Sequence, residues 1–342
     1  MNYNLKSQPF KLKPSGKDYL WGGNRLNSEF QKNIEMSPLA ETWECSTHPD
    51  GPSFIASGQY SGKTLKEVLE AHPEFLGTHP KQGNELPILI KLIDANKDLS
   101  VQVHPDDEYA KVYENGQLGK NEFWYVLDAT PEAQLVYGLN HNCDKDRLKE
   151  YILKGELDNH LNYVQVQKDD LFFINSGTIH ALGAGTLVAE IQQSSNLTYR
   201  LYDYDRVDKD GNRRELHLDK ALQVSYLGSM TEPRQPVRVL RYSKGVAREV
   251  LCRCKYFEVQ RMLINTAATT NVNESSEDKL NSMVSFRADE MSFRVLLCVD
   301  GEGEIHFSDE EMQVKKGECI FVPADSVDIF ISGRMQLLDV RC

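Results

Sequence analysis

The sequence predicts a mainly β chain of two β-barrel (jelly-roll) domains with a small helical insertion. Three observations carry this. Strand-sized apolar runs such as LPILIKLI and FRVLLCV recur between turn residues throughout. A turn–strand–turn–strand unit occurs twice, as KDDLFFINSGTIHALG and as KKGECIFVPADSVDIF. Helical spacing is confined to a few short stretches.

Taken in order, Pro9 to Trp21 is extended and stops at Gly22-Gly23. Leu39 to Ser46 is a short strand with Glu41 and Trp43 on one face, THPDGPS turns, and Ser53 to Ala56 is a further strand. Thr64 to Ala71 has helical spacing with Thr64 as N-cap. Pro87 to Asp94 and Leu99 to His104 are strands separated by the turn ANKD. An acidic, partly helical loop leads to a strand over Asn121 to Leu127, and Ala133 to Gly138 is the next. Asp144 to Leu153 is an amphipathic helix capped by its aspartate, followed by a short helix or turn, so the helical segments fall at about 64–72 and 144–160. Strands follow at Asn162 to Gln167, LFFIN, Leu187 to Gln193 and Thr198 to Tyr204. Then come a turn over Lys209 to Asn212 and a helix over Asp219 to Tyr226.

Pro233 and Pro236 mark a boundary, dividing the chain into 1–233 and 234–342. Beyond it the expected strands are Val246 to Cys254, Phe257 to Ile264, Ser282 to Phe286, Phe293 to Asp300, Gly303 to Phe307, Glu311 to Val314, Glu318 to Val322 and Val327 to Ile331, with a polar loop over Asn271 to Asp278. The second copy of the repeated unit lacks a histidine where the first has His180. The first domain is therefore expected to bind a metal and the second to be a metal-free relative.

The net charge of −12 gives no general attraction to nucleic acid or an anionic membrane. No run approaches the roughly 20 apolar residues of a membrane span, and the N-terminal stretch lacks a signal-peptide core. Seven cysteines show no framework spacing, and Cys252-x-Cys254 reads as packing on one strand face, so a reducing cytoplasm is expected.

Gln102 and His104 are two apart on a strand and share a face. If the Glu122 strand pairs with it, Gln102, His104 and Glu122 converge, and His180 completes an oxygen, two imidazoles and a carboxylate fit for a divalent cation. His48, His72, His79, His141 and His160 read as turn, loop or helix-end residues. His217 and His306 read as packing in strands.

The H…E pair upstream of SGTIH is the pattern of the cupin barrel. Many cupins are iron dioxygenases with a first H-x-H, and Gln102 in place of that first histidine argues against oxygen chemistry. VQVHPDDEYA, GKNEFWYVLDA, SGTIHALGAG and VAEIQQSSNLTYRLYDYDR, with YLWGG and AETWECSTHPDGPS before them, resemble the type I mannose-6-phosphate isomerase (phosphomannose isomerase) family in its short bacterial form, of the cupin superfamily.

The resemblance implies a zinc enzyme, one Zn2+ per chain, interconverting mannose 6-phosphate and fructose 6-phosphate through a cis-enediol. It implies Gln102, His104, Glu122 and His180 as metal ligands, Arg200 and Lys120 as catalytic, and Lys91, Ser100, Glu41 and Trp21 as substrate-binding. Glu190 joins the catalytic set on chemical grounds, a carboxylate with the reach and basicity to take a proton from a sugar carbon, with Lys120, Glu41 or a metal-bound water as alternatives for that role. Only 58 positions (180 − 122) separate the last two ligands, so the helical domain of larger relatives is reduced to the short helix at Asp144 to Leu153. The expected partner is a small sugar phosphate, with neither nucleic acid nor membrane, and the expected assembly a monomer or weak homo-oligomer. A metal-dependent cupin dioxygenase and a non-catalytic sugar-phosphate-binding cupin are the alternatives.

Overall fold

Two strands of the computed structural model, Ile88–Ala95 and Thr186–Gln193, are buried along their whole length. They form the middle of a six-stranded sheet ordered Leu171–Ile174, Glu122–Ala129, Thr186–Gln193, Ile88–Ala95, Glu41–Cys45 and Ser15–Lys17. The structure describes residues 7–80, 85–207, 210–231, 233, 235–266 and 282–342, and the loop expected over Asn271 to Asp278 lies outside them, as does Lys209. Burial on both faces explains why LPILIKLI is apolar without alternation.

The alternation is still there, expressed as a choice of partner. Ile88, Ile90, Leu92, Phe123, Tyr125, Ala189 and Ile191 face one way, into a cluster shared with Val259, Phe293, Phe321 and Leu338 of the C-terminal half. Ile93, Trp124, Val126 and Val188 face the other way, against Leu135, Tyr137, Val164 and Leu182.

Those last four belong to or adjoin a five-stranded sheet ordered Tyr199–Tyr202, Val101–Val103, His180–Leu182, Gln134–Leu139 and Leu161–Gln165. Its outer face carries Val101, Val103, Ala181, Tyr199 and Leu201 beneath the helices Lys145–Lys154 and Leu218–Val224. Asp144 caps the first of these helices, accepting from the Arg147 N–H, and the Leu65–Ala71 helix starts with a full capping box at Thr64 and Glu67, as the sequence signals.

The third sheet has ten strands among the described residues. Its main path runs Arg241–Ser243, Val246–Arg253, Glu258–Asn265, Ile329–Arg341, Arg294–Phe307, Cys319–Val322, Phe10–Lys13 and Phe54–Ile55, with Val284–Phe286 and Glu310–Lys315 at its sides. It encloses an apolar cluster that includes Met262, Leu296, Val314, Ile320 and Leu337. The first strand of the chain pairs antiparallel with Cys319–Val322 (Phe10 opposite Phe321), and Phe10, Phe321 and Phe293 stack with ring centroids 5.3 Å apart in each step.

The two strands expected over Phe293 to Asp300 and Gly303 to Phe307 are one, Arg294–Phe307. The strand expected to end at Ile331 runs on to Arg341, through Gly333 at φ +117°, a conformation glycine adopts without a Cβ penalty.

Candidate active site

The site lies between the six- and five-stranded sheets, and each sheet contributes a transverse row. On the five-stranded sheet Arg200 stands opposite Gln102, Gln102 opposite His180, and His180 opposite Tyr137. On the six-stranded sheet Trp124 stands opposite Glu190, Glu190 opposite Lys91, and Lys91 opposite Trp43. The strands carrying Gln102 and Glu122 therefore do not pair, contrary to the sequence expectation. They lie in different sheets and meet face to face. Period-two alternation then turns Ser100, Gln102, His104, Glu122, Trp124, Lys91 and Glu190 into the same interior.

His104, Glu122 and His180 form a cluster whose ligating atoms all lie within 4.8 Å of one another. Glu122 Oε1 is 3.2 Å from His180 Nε2, and Glu122 Oε2 is 3.4 Å from His104 Nε2. His104 Nδ1–H donates to the Leu197 carbonyl and His180 Nδ1–H to that of Thr178, both at 2.8 Å. With the outer nitrogens protonated, both Nε2 atoms point inward as lone pairs. His104 Nε2 and Glu122 Oε1 are buried without a hydrogen-bond partner, and Glu122 Oε2 faces the Lys120 ammonium. Such a concentration of proton-free donors is costly unless a cation sits among them, so these residues fit a divalent metal. Gln102 reaches the same place, its amide nitrogen 3.4 Å from His180 Nε2; a half-turn of the amide presents its oxygen instead.

The electrostatics favour ligation. Burial and then Lys120 push the His104 pKa down to about 3, keeping the imidazole neutral. Burial pushes the Glu122 pKa up, but its neighbours, the Lys120 ammonium first among them, outweigh it and hold the carboxyl well below its ordinary range. Lys120 Nζ is 3.0 Å from Glu122 Oε2.

Beside the cluster is a cavity of about 260 Å³. Its wall includes all three residues expected to be catalytic (Arg200, Glu190, Lys120), all four expected to bind substrate (Lys91, Ser100, Glu41, Trp21) and Gln102, expected as a ligand. Lys91 is 4% exposed and sits between two carboxylates, 3.1 Å from Glu190 Oε1 and 3.7 Å from Glu41 Oε2. Both carboxylates are held by tryptophans: Trp124 Nε1–H donates to Glu190 at 2.9 Å and Trp43 Nε1–H to Glu41 at 2.8 Å. Burial opposes a charge on Lys91, but Glu190 and Glu41 outweigh it and raise its pKa. Arg200 donates from Nε to Ser100 Oγ at 3.3 Å and from Nη1 to the Glu215 carbonyl at 2.7 Å.

Reasoning from the sequence missed Tyr19, Asn196, Thr198 and Arg214 in this wall. Arg214 follows a loop and comes in by pairing with Asp203, its Nε 2.8 Å from Oδ2. The run RRELH shortly after the Arg200 strand was its one available signal. His217 is not in a strand: it is the N-cap residue of the Leu218–Val224 helix, and its Nδ1 accepts from the Arg200 N–H at 3.2 Å. His306 lies in a strand as expected, 3.3 Å from Glu304 and 3.7 Å from Glu311.

Among the described residues no helix is long and apolar enough to cross a membrane. The family model for the phosphomannose isomerase type I catalytic domain matches residues 9–136, and that for the mannose-6-phosphate isomerase cupin domain matches residues 276–342. The chain is 36% identical over 319 residues to mannose-6-phosphate isomerase ManA of Bacillus subtilis (strain 168), covering 93% of this chain and 94% of that protein. It is 33% identical over 317 residues to the mannose-6-phosphate isomerase of Streptococcus mutans, covering 93% of each. The crystal structure of a mannose 6-phosphate isomerase from Bacillus subtilis matches with a TM-score of 0.87 at 34% identity, over 98% of this chain and 99% of that one. Likeness at this level from end to end makes the chain a member of the type I mannose-6-phosphate isomerase (phosphomannose isomerase) family.

Proposed function

We propose that the chain is a zinc-dependent isomerase that interconverts mannose 6-phosphate and fructose 6-phosphate through a cis-enediol. The observation that carries this is the proton-poor Glu122–His104–His180 cluster set directly beside a cavity walled by Glu190, Lys120 and Arg200. Two imidazoles, a carboxylate and an amide oxygen from Gln102 are a donor set that suits Zn2+. An ion held there would supply Lewis acidity to the sugar's reacting oxygens.

The remaining chemistry belongs to side chains. Glu190, aligned by Trp124 and Lys91, takes the proton from one carbon and returns it to its neighbour. Arg200 places a fixed positive charge where the enediolate oxygens develop theirs, and Lys120 shares the proton traffic at the ligand end of the cavity. Glu41 and Trp21 shape the sugar subsite. The phosphate, at about −1.5 to −2 charges, needs local cations in an acidic protein. Lys91 is already matched by two carboxylates, so Arg214 and the Ser100 hydroxyl beside Arg200 are the natural partners.

We further read 1–233 as the catalytic, metal-binding jelly-roll barrel and 234–342 as its metal-free counterpart. The first reading is supported by the two facing sheets with their shared core. The second is supported by the separate apolar cluster of the C-terminal sheet. Strands Phe10–Lys13 and Phe54–Ile55 are lent to the second unit's sheet. The seven free cysteines support a cytoplasmic setting.

The test is a coupled assay on mannose 6-phosphate before chelation, after chelation and after readdition of zinc. Turnover that disappears with the metal and returns with it is expected. Full turnover in metal-stripped protein, or binding of the sugar phosphate without turnover in zinc-loaded protein, would refute the reading.

A further inference from the structure

Among the described residues none beyond Arg214 lines the cavity, yet the C-terminal half reaches the loop that carries Lys120. The contact is the hairpin tip between Val246–Arg253 and Glu258–Asn265. The Cys254 N–H donates to the Phe257 carbonyl at 3.0 Å, closing the turn, and Phe257 is buried in the core shared by the two halves. Tyr256 Oη then donates to Asp107 Oδ2 at 2.8 Å.

The other oxygen of Asp107 accepts from the Gly119 N–H at 3.0 Å and from Gln193 Nε2 at 2.9 Å. Gln193 Oε1 accepts in turn from the Asn121 N–H at 2.9 Å and from its side chain at 2.8 Å. The residues on both sides of Lys120 are thus gripped through one carboxylate. A Cβ on Gly119 would stand 2.4 Å from the Asp106 carbonyl carbon and 2.5 Å from the Asp107 nitrogen, so the loop is pressed against the start of the Asp107–Tyr113 helix. Lysine is a point charge on a flexible four-carbon stem. Its ammonium is placed only as well as its backbone is.

We infer that Tyr256 is a positioning residue for the isomerisation: through Asp107 it fixes the Gly119–Asn121 segment and hence the ammonium of Lys120. This rests on the reading of Lys120 as part of the reacting machinery. It gives the C-terminal half a task in turnover that it performs from outside the cavity.

The experiment compares Tyr256→Phe, Asp107→Asn, Lys120→Met and their double combinations in the zinc-loaded full chain, measuring kcat, KM, bound zinc and melting temperature. Tyr256→Phe keeps the ring and its packing and deletes only the hydroxyl. It is expected to lower kcat by about tenfold, below the hundredfold that a misplacement of ~1 Å can cost. KM stays within about twofold and zinc is fully retained. Asp107→Asn should do the same, and Tyr256→Phe/Asp107→Asn should be no worse than the poorer single variant. In the Lys120→Met background, Tyr256→Phe should have no further effect on kcat, which a merely structural role would not produce. Wild-type kcat in Tyr256→Phe, or an undiminished loss in the Lys120→Met background, overturns the inference alone. Wild-type kcat in Lys120→Met overturns the reading beneath it.

Discussion

Replacing Lys91 by methionine keeps the chain length and removes the one ammonium that balances two buried carboxylates. Lys91, Glu190 and Glu41 are 4%, 3% and 7% exposed, so water cannot take over for the lost charge. Breaking a buried ion pair from one side costs about 3–5 kcal/mol, because the remaining partner is left unpaired. Unfolding entropy near 60 °C is about 2.1 cal/mol/K per residue, or about 0.7 kcal/mol/K over 342 residues. The melting temperature should therefore fall by about 4–7 °C at pH 7.5. The raised pKa of Lys91 means that its contribution is complete below the unfolded value of about 10.5 and is lost only as pH rises through the folded one, so the wild type shows its full advantage at neutral pH. Scanning calorimetry of both proteins at pH 7.5, at matched metal content, gives the answer. A melting temperature for Lys91→Met within 1 °C of wild type would refute the reasoning.

Three further outcomes are expected. His104→Ala and His180→Ala should lose bound zinc and turnover together, checked by metal analysis on the assayed samples. Arg200→Ala should retain zinc and cut kcat by about 10²–10³-fold, the usual loss for one donor at a developing oxyanion; undiminished turnover would remove Arg200 from its role. His104, held down to about 3 in the folded chain against about 6.5 unfolded, stabilises the metal-free protein above pH 6.5 and loses that contribution as pH falls, by about 2 kcal/mol between pH 7 and pH 5. Urea titrations of chelated wild type and His104→Gln should show the flatter pH dependence in the variant.

Much of the site was readable in the chain because it is built from period-two positions. Once Gln102, His104 and Glu122 were placed on strands, alternation alone turned them inward, and the capped helices at 65–71 and 145–154 followed from Thr64 and Asp144. What pattern could not provide was which strands are hydrogen-bonded and which only face each other. Gln102 and Glu122 converge across two sheets, and local sequence says nothing about that separation. Arg214 was invisible for a similar reason: it arrives from a loop, held by Asp203, with no periodicity to mark its direction. The expected strands end short of Gly333 and break at Gly301, whereas in the sheet both glycines sit at positive φ inside continuous strands. Tyr256 lies in a hairpin tip indistinguishable by composition from any other, and its meaning appears only with Asp107 beside it.

The stacking of Phe10 on Phe321 has a consequence for assembly. These rings are 311 positions apart (321 − 10), so the Phe10 strand cannot settle on its partner until the strand carrying Phe321 has been translated. The seam between the halves closes last, and shortening the C-terminal strands would strip the N-terminal one of its neighbour.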